Sequence, residues 1–346
     1  MLLSLAARVR VLFVGGKGGV GKTSTASAVA LAAAREGRRV LVASTDPAHN
    51  LGHLWDRPVG DDVVRLAGPF PVGQDGGAAG TGVGHLDGIE IDPERTAERH
   101  LDQVRGTLHR LMPEHLRGEV DRHLDLARHA PGAHEAALLE RVAETVELGL
   151  AEYDLVVFDT APSGHTARLM ALPEAMSAWT DGLLRGRDRS ARFGDAARRL
   201  GHTDDDGAGV LGTGSRARDR RERRDQEIRA VLERRRRRFA GLREVLTDHG
   251  RTAFVIVLAA ERMPVLEALE LHRQLEATGV GVRALVVNKR SPHDGGDLLA
   301  ARHAQEERHL AVVRDALPRV PLLEVPLLPG DLAGEAALTR LGELLR

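Results

Sequence analysis

Near the N-terminus the run GKGGVGKT, Gly16–Thr23, follows the pattern G-x-x-x-x-G-K-[ST]. Residues of these types at this spacing suit the binding of nucleotide phosphates. Gly16, Gly18, Gly19 and Gly21, with Val20 among them, let the backbone wrap so that its N–H groups converge on an anion. Lys22 is placed to bridge the β- and γ-phosphates of ATP. Thr23 is placed to put its hydroxyl on Mg²⁺, and Ser24 to reach the α-phosphate. Lys17 follows the first glycine of the run and is poorly placed to reach phosphates held by its own loop. It can reach those of a second copy packed face to face, stabilising transition-state charge as an arginine finger does, a role worth roughly 10³–10⁵ in rate.

Further acids and amides lie at the ends of apolar runs. Asp46 follows the run Arg39–Ser44, where a carboxylate can orient or deprotonate an attacking water. Asp159 ends YDLVVFD, Tyr153–Asp159, as an acid that holds Mg²⁺ directly or through water should. In DTAPSGHT, Asp159–Thr166, Gly164 can bring a backbone N–H near the γ-phosphate and make the segment a switch. His165 beside it has both a structural and a functional reading. Asn288, in VVNKR, sits where its amide can pair with the adenine edge, or can simply open a turn.

Composition sharpens this picture. Lysine and arginine together number 49, yet only Lys17, Lys22 and Lys289 are lysines. Two lie in the glycine loop and the third follows Asn288. A compact ammonium and a planar guanidinium are not equivalent among phosphates, so lysine here marks places where the difference matters.

The elements that must position these residues alternate. Apolar strands are expected at Val9–Val14, Arg39–Ser44, Tyr153–Asp159, Thr252–Ala259, Val282–Val287 and Val320–Val325. Helices are expected at Ser24–Glu36, Pro93–Met112 and Glu135–Leu150. Alternation of this kind predicts an α/β fold with a doubly wound, mostly parallel sheet, and the unbroken apolar runs predict strands covered on both faces. Gly68–Gly84 reads as an irregular loop. The whole chain, residues 1–346, is expected to be a single nucleotide-binding domain. It carries an inserted helical subdomain at about 93–130 and 177–250, with the polar stretch 201–215 disordered. Between Arg216 and Arg243 there are 13 arginines and 5 acids, a net of +8 that leaves the rest of the chain at −9. Ile228, Val231, Leu232, Phe239, Leu242 and Val245 form an apolar stripe on the same helix.

Bulk numbers exclude several classes. The sequence contains no cysteine, which rules out a disulfide framework, a Cys-ligated zinc site and a thiolate metalloid site. No apolar run reaches the about 18 residues of a membrane span. The N-terminal MLLSLAARVRVLFV has some signal-peptide character, but Val9–Val14 runs directly into the glycine loop and cleavage would destroy the site. It is read as the first strand of a cytoplasmic protein. The C-terminal LAGEAALTRLGELLR reads as a membrane-surface helix or as a last helix packed on the sheet.

Taken together, GKGGVGKTS at Gly16–Ser24, STDPAHNL at Ser44–Leu51, EIDP at Glu90–Pro93, PGAHEA at Pro131–Ala136, YDLVVFDTAPSGHTARLMALPE at Tyr153–Glu174, VVNK at Val286–Lys289 and VPLLPGDLAG at Val325–Gly334 resemble the ArsA family. That family includes the arsenite-pump ATPase and the ATPase that delivers tail-anchored membrane proteins. The resemblance spans nearly the whole chain. It implies a deviant Walker A ATPase in which Lys17 acts between monomers, Asp46 is the water-activating acid of switch I, and Asp159–Thr166 is switch II. It implies that Asn288 and the loop after Val325, with Pro326 and Leu327, hold adenine. ATP would close a homodimer through the nucleotide face, and hydrolysis would reopen it.

The chain departs from the family in its cargo chemistry. It lacks the metalloid-binding cysteines of the pump and the CxxC zinc clamp of the tail-anchor carrier, so no zinc is expected. It has one phosphate loop where the pump has two ATPase halves, and its insertion is rich in arginine rather than methionine. Three readings of the task follow. The first couples the cycle to capture of a hydrophobic client along the apolar stripe, or to a membrane transport or targeting partner. The second is a nucleotide-gated switch docking on an anionic membrane, nucleic acid or acidic protein through the basic segment. Nucleic acid fits poorly there, since no aromatics interleave the arginines. The third, arsenite transport, would require non-cysteine ligands.

Overall fold

In a computed structural model of the chain, the structure describes residues 1–46, 50–71, 83–111, 114, 117–128, 133–162, 166, 170–172, 174, 181 and 213–346. Eight strands form one sheet: β1 (Val11–Gly15), β2 (Arg39–Ser44), β3 (Val64–Phe70), β4 (Gly84–Glu90), β5 (Leu155–Asp159), β6 (Thr252–Ala259), β7 (Val282–Arg290) and β8 (Leu322–Pro326). Their spatial order is β3-β4-β2-β5-β1-β6-β7-β8. Every neighbouring pair is parallel except β3 with β4, which runs antiparallel at the edge.

Alternation of side chains along the strands feeds two apolar layers. Leu12, Val14, Val40, Val42, Val157, Val255 and Val257 point to one face. There α1 (Leu2–Ala6), α2 (Lys22–Arg35) and α10 (Gly334–Leu344) cover them. Val11, Phe13, Leu41, Val156, Phe158, Phe254 and Ile256 point to the other. Phe13 stacks on Phe158 with ring centroids 4.7 Å apart and on Phe254 at 6.2 Å. This second layer is closed by α6 (Ala133–Glu152), the C-terminal part of α7 (Thr213–Thr247), α8 (Arg262–Ala277) and α9 (Asp297–Ala316). A short α3 (Asn50–Trp55) follows β2, while α4 (Pro93–Leu111) packs against α5 (Arg117–Arg128) and α6.

Several expectations need correction. The first strand begins at Val11, and Leu2–Ala6 before it form α1, whose Leu2 and Leu3 N–H groups donate to Leu345 O at 3.0 and 3.2 Å. Of Gly68–Gly84, Gly68–Phe70 belongs to β3 and Gly84 opens β4; residues 72–82 lie outside the described residues. Gly84 serves close approach, since a Cβ on it would lie 2.1 Å from Ala34 O. Within 201–215, Thr213–Ser215 belong to α7, and residues 201–212 are outside the described set.

The apolar stripe of α7 divides. Phe239, Leu242 and Val245 are buried in the second core layer, Leu232 is half-buried and Val231 is exposed. Two of its arginines pair with α6: Arg235 Nη2 lies 2.8 Å from Glu140 Oε2, and Arg238 Nη1 lies 2.7 Å from Glu144 Oε1. Ala337, Leu338 and Leu341 of α10 are buried, so the C-terminal helix packs on the sheet side of the molecule. Among the described residues, no helix is long and apolar enough to cross a membrane.

Candidate functional site

The carboxyl ends of β1, β2, β5 and β7 lie along one edge of the sheet, where doubly wound folds bind ligands. Register places Val14 and Ser44 each opposite Asp159, and Asn288 opposite Ala259. The glycine loop leaves β1 at this edge and delivers the chain into α2. Gly21, at φ 94°, caps that 14-residue helix in the left-handed region. The helix N-terminus thus faces the loop and adds positive potential to it.

Lys22 is buried, and its Nζ donates to Lys17 O at 3.3 Å, folding the ammonium over the loop. Thr23 Oγ1 donates to Asp159 Oδ2 at 2.7 Å, and Ser44 Oγ donates to the same oxygen at 3.3 Å. Asp159 is wholly buried, and its Oδ1 has no hydrogen-bond partner among the described residues. Burial pushes this carboxyl up to about 6, against the pull of the Thr23 hydroxyl and the Lys22 charge, while the charge of Asp46 pushes it further up. An orphaned, dry carboxylate oxygen beside a threonine hydroxyl is costly without a cation and fits a hard, oxygen-seeking one such as Mg²⁺.

The segments after β2 and β5 are laced together. Thr45 N–H donates to Asp159 O at 2.9 Å, and Thr45 Oγ1 accepts from Ala161 N–H at 3.1 Å. Asp46 is half-buried, and its N–H donates to Ser44 Oγ at 3.3 Å. Glu90, buried at the end of β4, accepts the Leu51 N–H at 2.8 Å and so anchors the helix that follows Asp46. Ser44, Thr45 and Glu90 were not singled out as site residues from the sequence. Their signal was their place inside STDPAHNL and EIDP.

Asn288 lies at the loop but is turned into it. Its Nδ2 donates to Val20 O at 2.9 Å, and its Oδ1 accepts the Lys289 N–H at 2.9 Å. Pro326 is in register with Arg290, and Leu327 N–H donates to Arg290 O at 2.8 Å, which sets this pair beside the strand end carrying Asn288. Ser24 is half-buried in the first turn of α2. Lys17 departs from the cluster: its Nζ donates to Glu267 Oε1 on α8 at 2.7 Å. Gly164 and His165 lie outside the described residues. Among the described residues, no group of three or more His, Cys, Asp or Glu is arranged to hold a metal.

A glycine loop running from a central parallel strand into a helix N-terminus, with an acid ending the adjacent strand, defines a P-loop nucleotide-binding protein. Residues 9–346 match the profile of the family described as anion-transporting ATPase. The chain belongs to that family, the ArsA ATPases. It is 30% identical over 331 residues to an arsenical pump-driving ATPase of Escherichia coli, covering 94% of this chain and 48% of the relative. It is 30% identical over 352 residues to the ATPase GET3B of Arabidopsis thaliana, covering 96% and 77%. It is 28% identical over 348 residues to the ATPase GET3 of Malassezia globosa, covering 96% and 90%. The chain therefore spans about half the length of the pump-driving relative and most of the GET3 proteins.

Proposed function

We propose that the chain is a cytoplasmic, Mg²⁺-dependent ATPase that works as a homodimer joined through its nucleotide face. Dimer closure on ATP would be coupled to capture of a hydrophobic client or to driving a membrane transport or targeting partner. Lys22 and the loop N–H groups bind the phosphates. Thr23 and Asp159 would hold Mg²⁺, which when bound offsets negative charge on the phosphates. Asp46 orients the attacking water, and Lys17 reaches the phosphates of the partner copy. Gly164 contributes a backbone N–H, and Asn288, Pro326 and Leu327 flank the base.

The observation that supports this reading is a division of labour among lysines. Lys22 folds over its own loop, while Lys17 is drawn outward to Glu267 on α8. The inserted helical subdomain, α4 and α5 with the N-terminal part of α7, is the element proposed to move with closure. Pairing of Arg235 and Arg238 with α6 acids neutralises two of the 13 arginines of the basic segment, while Arg234, Arg236 and Arg237 are exposed, so the docking alternative stands beside the client reading.

Turnover per protomer, measured against protein concentration with light scattering alongside, tests the proposal. Turnover should rise with the dimer fraction. Lys17→Ala should keep ATP binding and lose most hydrolysis, and Asp46→Asn should accumulate a closed dimer with ATP. Equal turnover in a strict monomer overturns the dimer mechanism. Stimulation by an apolar helical peptide supports the client reading; stimulation by anionic vesicles that collapses with salt supports the alternative.

A further inference from the structure

Lys289 is an exposed lysine with an uncommon backbone conformation, at a register shift between β7 and β8, and a distant partner. Asp56 and Lys289 are the two non-glycine residues with positive φ among those described, and Lys289 lies at φ 60°. Such a backbone is uncommon for a side chain of this size and is retained where surroundings over-determine it. Its Nζ donates to Gly19 O at 2.9 Å, across 270 residues of sequence. Its neighbour Asn288 donates to Val20 O, the next carbonyl of the same loop. Two consecutive side chains at the end of β7 therefore hold two consecutive carbonyls of the phosphate loop.

The consequence follows from peptide geometry. A trans peptide is planar, and its C=O and N–H point in opposite directions. Gly19 O shares a plane with Val20 N–H, and Val20 O shares one with Gly21 N–H. Drawing both carbonyls toward β7 turns the two N–H groups the other way, free of the β7 side chains and available to the proposed phosphate site. A cation on Gly19 O also polarises that peptide and strengthens its N–H as a donor. The two clamps differ in what else they do. Asn288 is 4% exposed, and a Cβ on Gly21 would fall 2.2 Å from its Nδ2, so it is part of the packing. Lys289 is exposed and free of that duty.

We infer that Lys289 is a positioning residue for nucleotide binding: through Gly19 O it aims the Val20 N–H at the phosphates of ADP and ATP alike. This rests on nucleotide binding at the glycine loop, which titration of the unsubstituted protein and of Lys22→Ala checks separately. The test titrates Lys289→Met and Lys289→Arg with ADP and with ATP, alongside thermal unfolding without nucleotide and steady-state kinetics. In Lys289→Met, both dissociation constants should rise roughly tenfold, the scale of one charge-assisted hydrogen bond. KM should rise by more than kcat falls. Lys289→Arg, which keeps a charged donor, should recover most of the affinity, and the nucleotide-free melting midpoint should stay within a degree or so of the starting protein. Unchanged affinity for both nucleotides overturns the inference. So does a lowered nucleotide-free midpoint that accounts for the loss, or a defect confined to kcat. If the unsubstituted protein fails to bind nucleotide, it is the reading of the loop that falls.

Discussion

The Nζ of Lys17 lies 2.7 Å from Oε1 of Glu267, a contact spanning 250 residues of sequence, with both side chains about one-third exposed. In the proposed dimer this ammonium must leave Glu267 to meet the phosphates of the partner copy. A half-exposed pair of this kind is worth about 1 kcal/mol or less, since water screens it. It therefore acts as a weak restraint on the free chain. Glu267→Gln should raise turnover at low protein concentration by up to about fivefold, with little effect once the dimer is saturated. Steady-state turnover across a protein dilution series measures this. Unchanged or lower turnover at every concentration would show that Glu267 does not restrain Lys17.

Thr23 joins the loop to Asp159 through its hydroxyl. Thr23→Ala should weaken ADP binding in the presence of Mg²⁺ by about tenfold while leaving Mg²⁺-free binding within about twofold, the cost of one ligand to a hard cation. Paired calorimetric titrations with Mg²⁺ and with a chelator provide the comparison. An equal loss in both would assign Thr23 to the phosphates rather than to the metal.

Asp159 carries a pH signature. Its carboxyl is raised in the folded chain, from the ordinary 3.8 to about 6, because burial penalises the charge. A group raised by folding contributes stability that is complete below its unfolded pKa and is lost as pH climbs through its folded value. Nucleotide-free protein in chelator should therefore be penalised at pH 8 by about 3 kcal/mol relative to a neutral side chain at this position. Asp159→Asn should stabilise the nucleotide-free protein at pH 8 and give a smaller gain at pH 5. Urea unfolding at the two pH values tests the sign, and a gain that does not grow with pH would contradict it.

Arg290 is buried and holds three carboxylates: Glu306 Oε2 at 2.5 Å from Nη1, Glu324 Oε2 at 2.7 Å from Nε, and Glu307. Glu306 is itself buried and also accepts the Ser291 N–H and hydroxyl. Arg302 Nε also donates to Glu306 Oε1 at 3.2 Å, so removing Arg290 leaves Glu306 one cation fewer rather than none, and Arg290→Leu should cost about 1–3 kcal/mol of stability. Glu306→Gln in the same background should recover part of it. Denaturant midpoints of the single and double variants give the coupling.

The strand ends that carry the proposed site were legible in the sequence. Gly16–Ser24, Asp46 and Asp159 each follow an apolar strand, and parallel strands covered on both faces bring those ends to one edge. The central strands were legible for the same reason, as unbroken apolar runs. β3 and β4 were not: they form the antiparallel edge, and glycines at Gly68 and Gly84 resemble turn residues although they sit within strands. The apolar stripe of α7 was visible as a period, but the period could not reveal that Phe239, Leu242 and Val245 belong to the core while Val231 faces solvent.

Sequence alone pointed to the glycine loop as the proposed phosphate site, because the loop's chemistry depends on residues one to eight positions apart and on a strand and helix that flank it. Tertiary structure decided which distant residues complete that loop. Glu267 on Lys17, Asn288 and Lys289 on Val20 and Gly19, and Glu90 on Leu51 are hydrogen bonds between segments far apart in the chain. Their partners depend on the order of strands in the sheet, and that order is set by how whole helices and strands bury their apolar faces rather than by any local spacing.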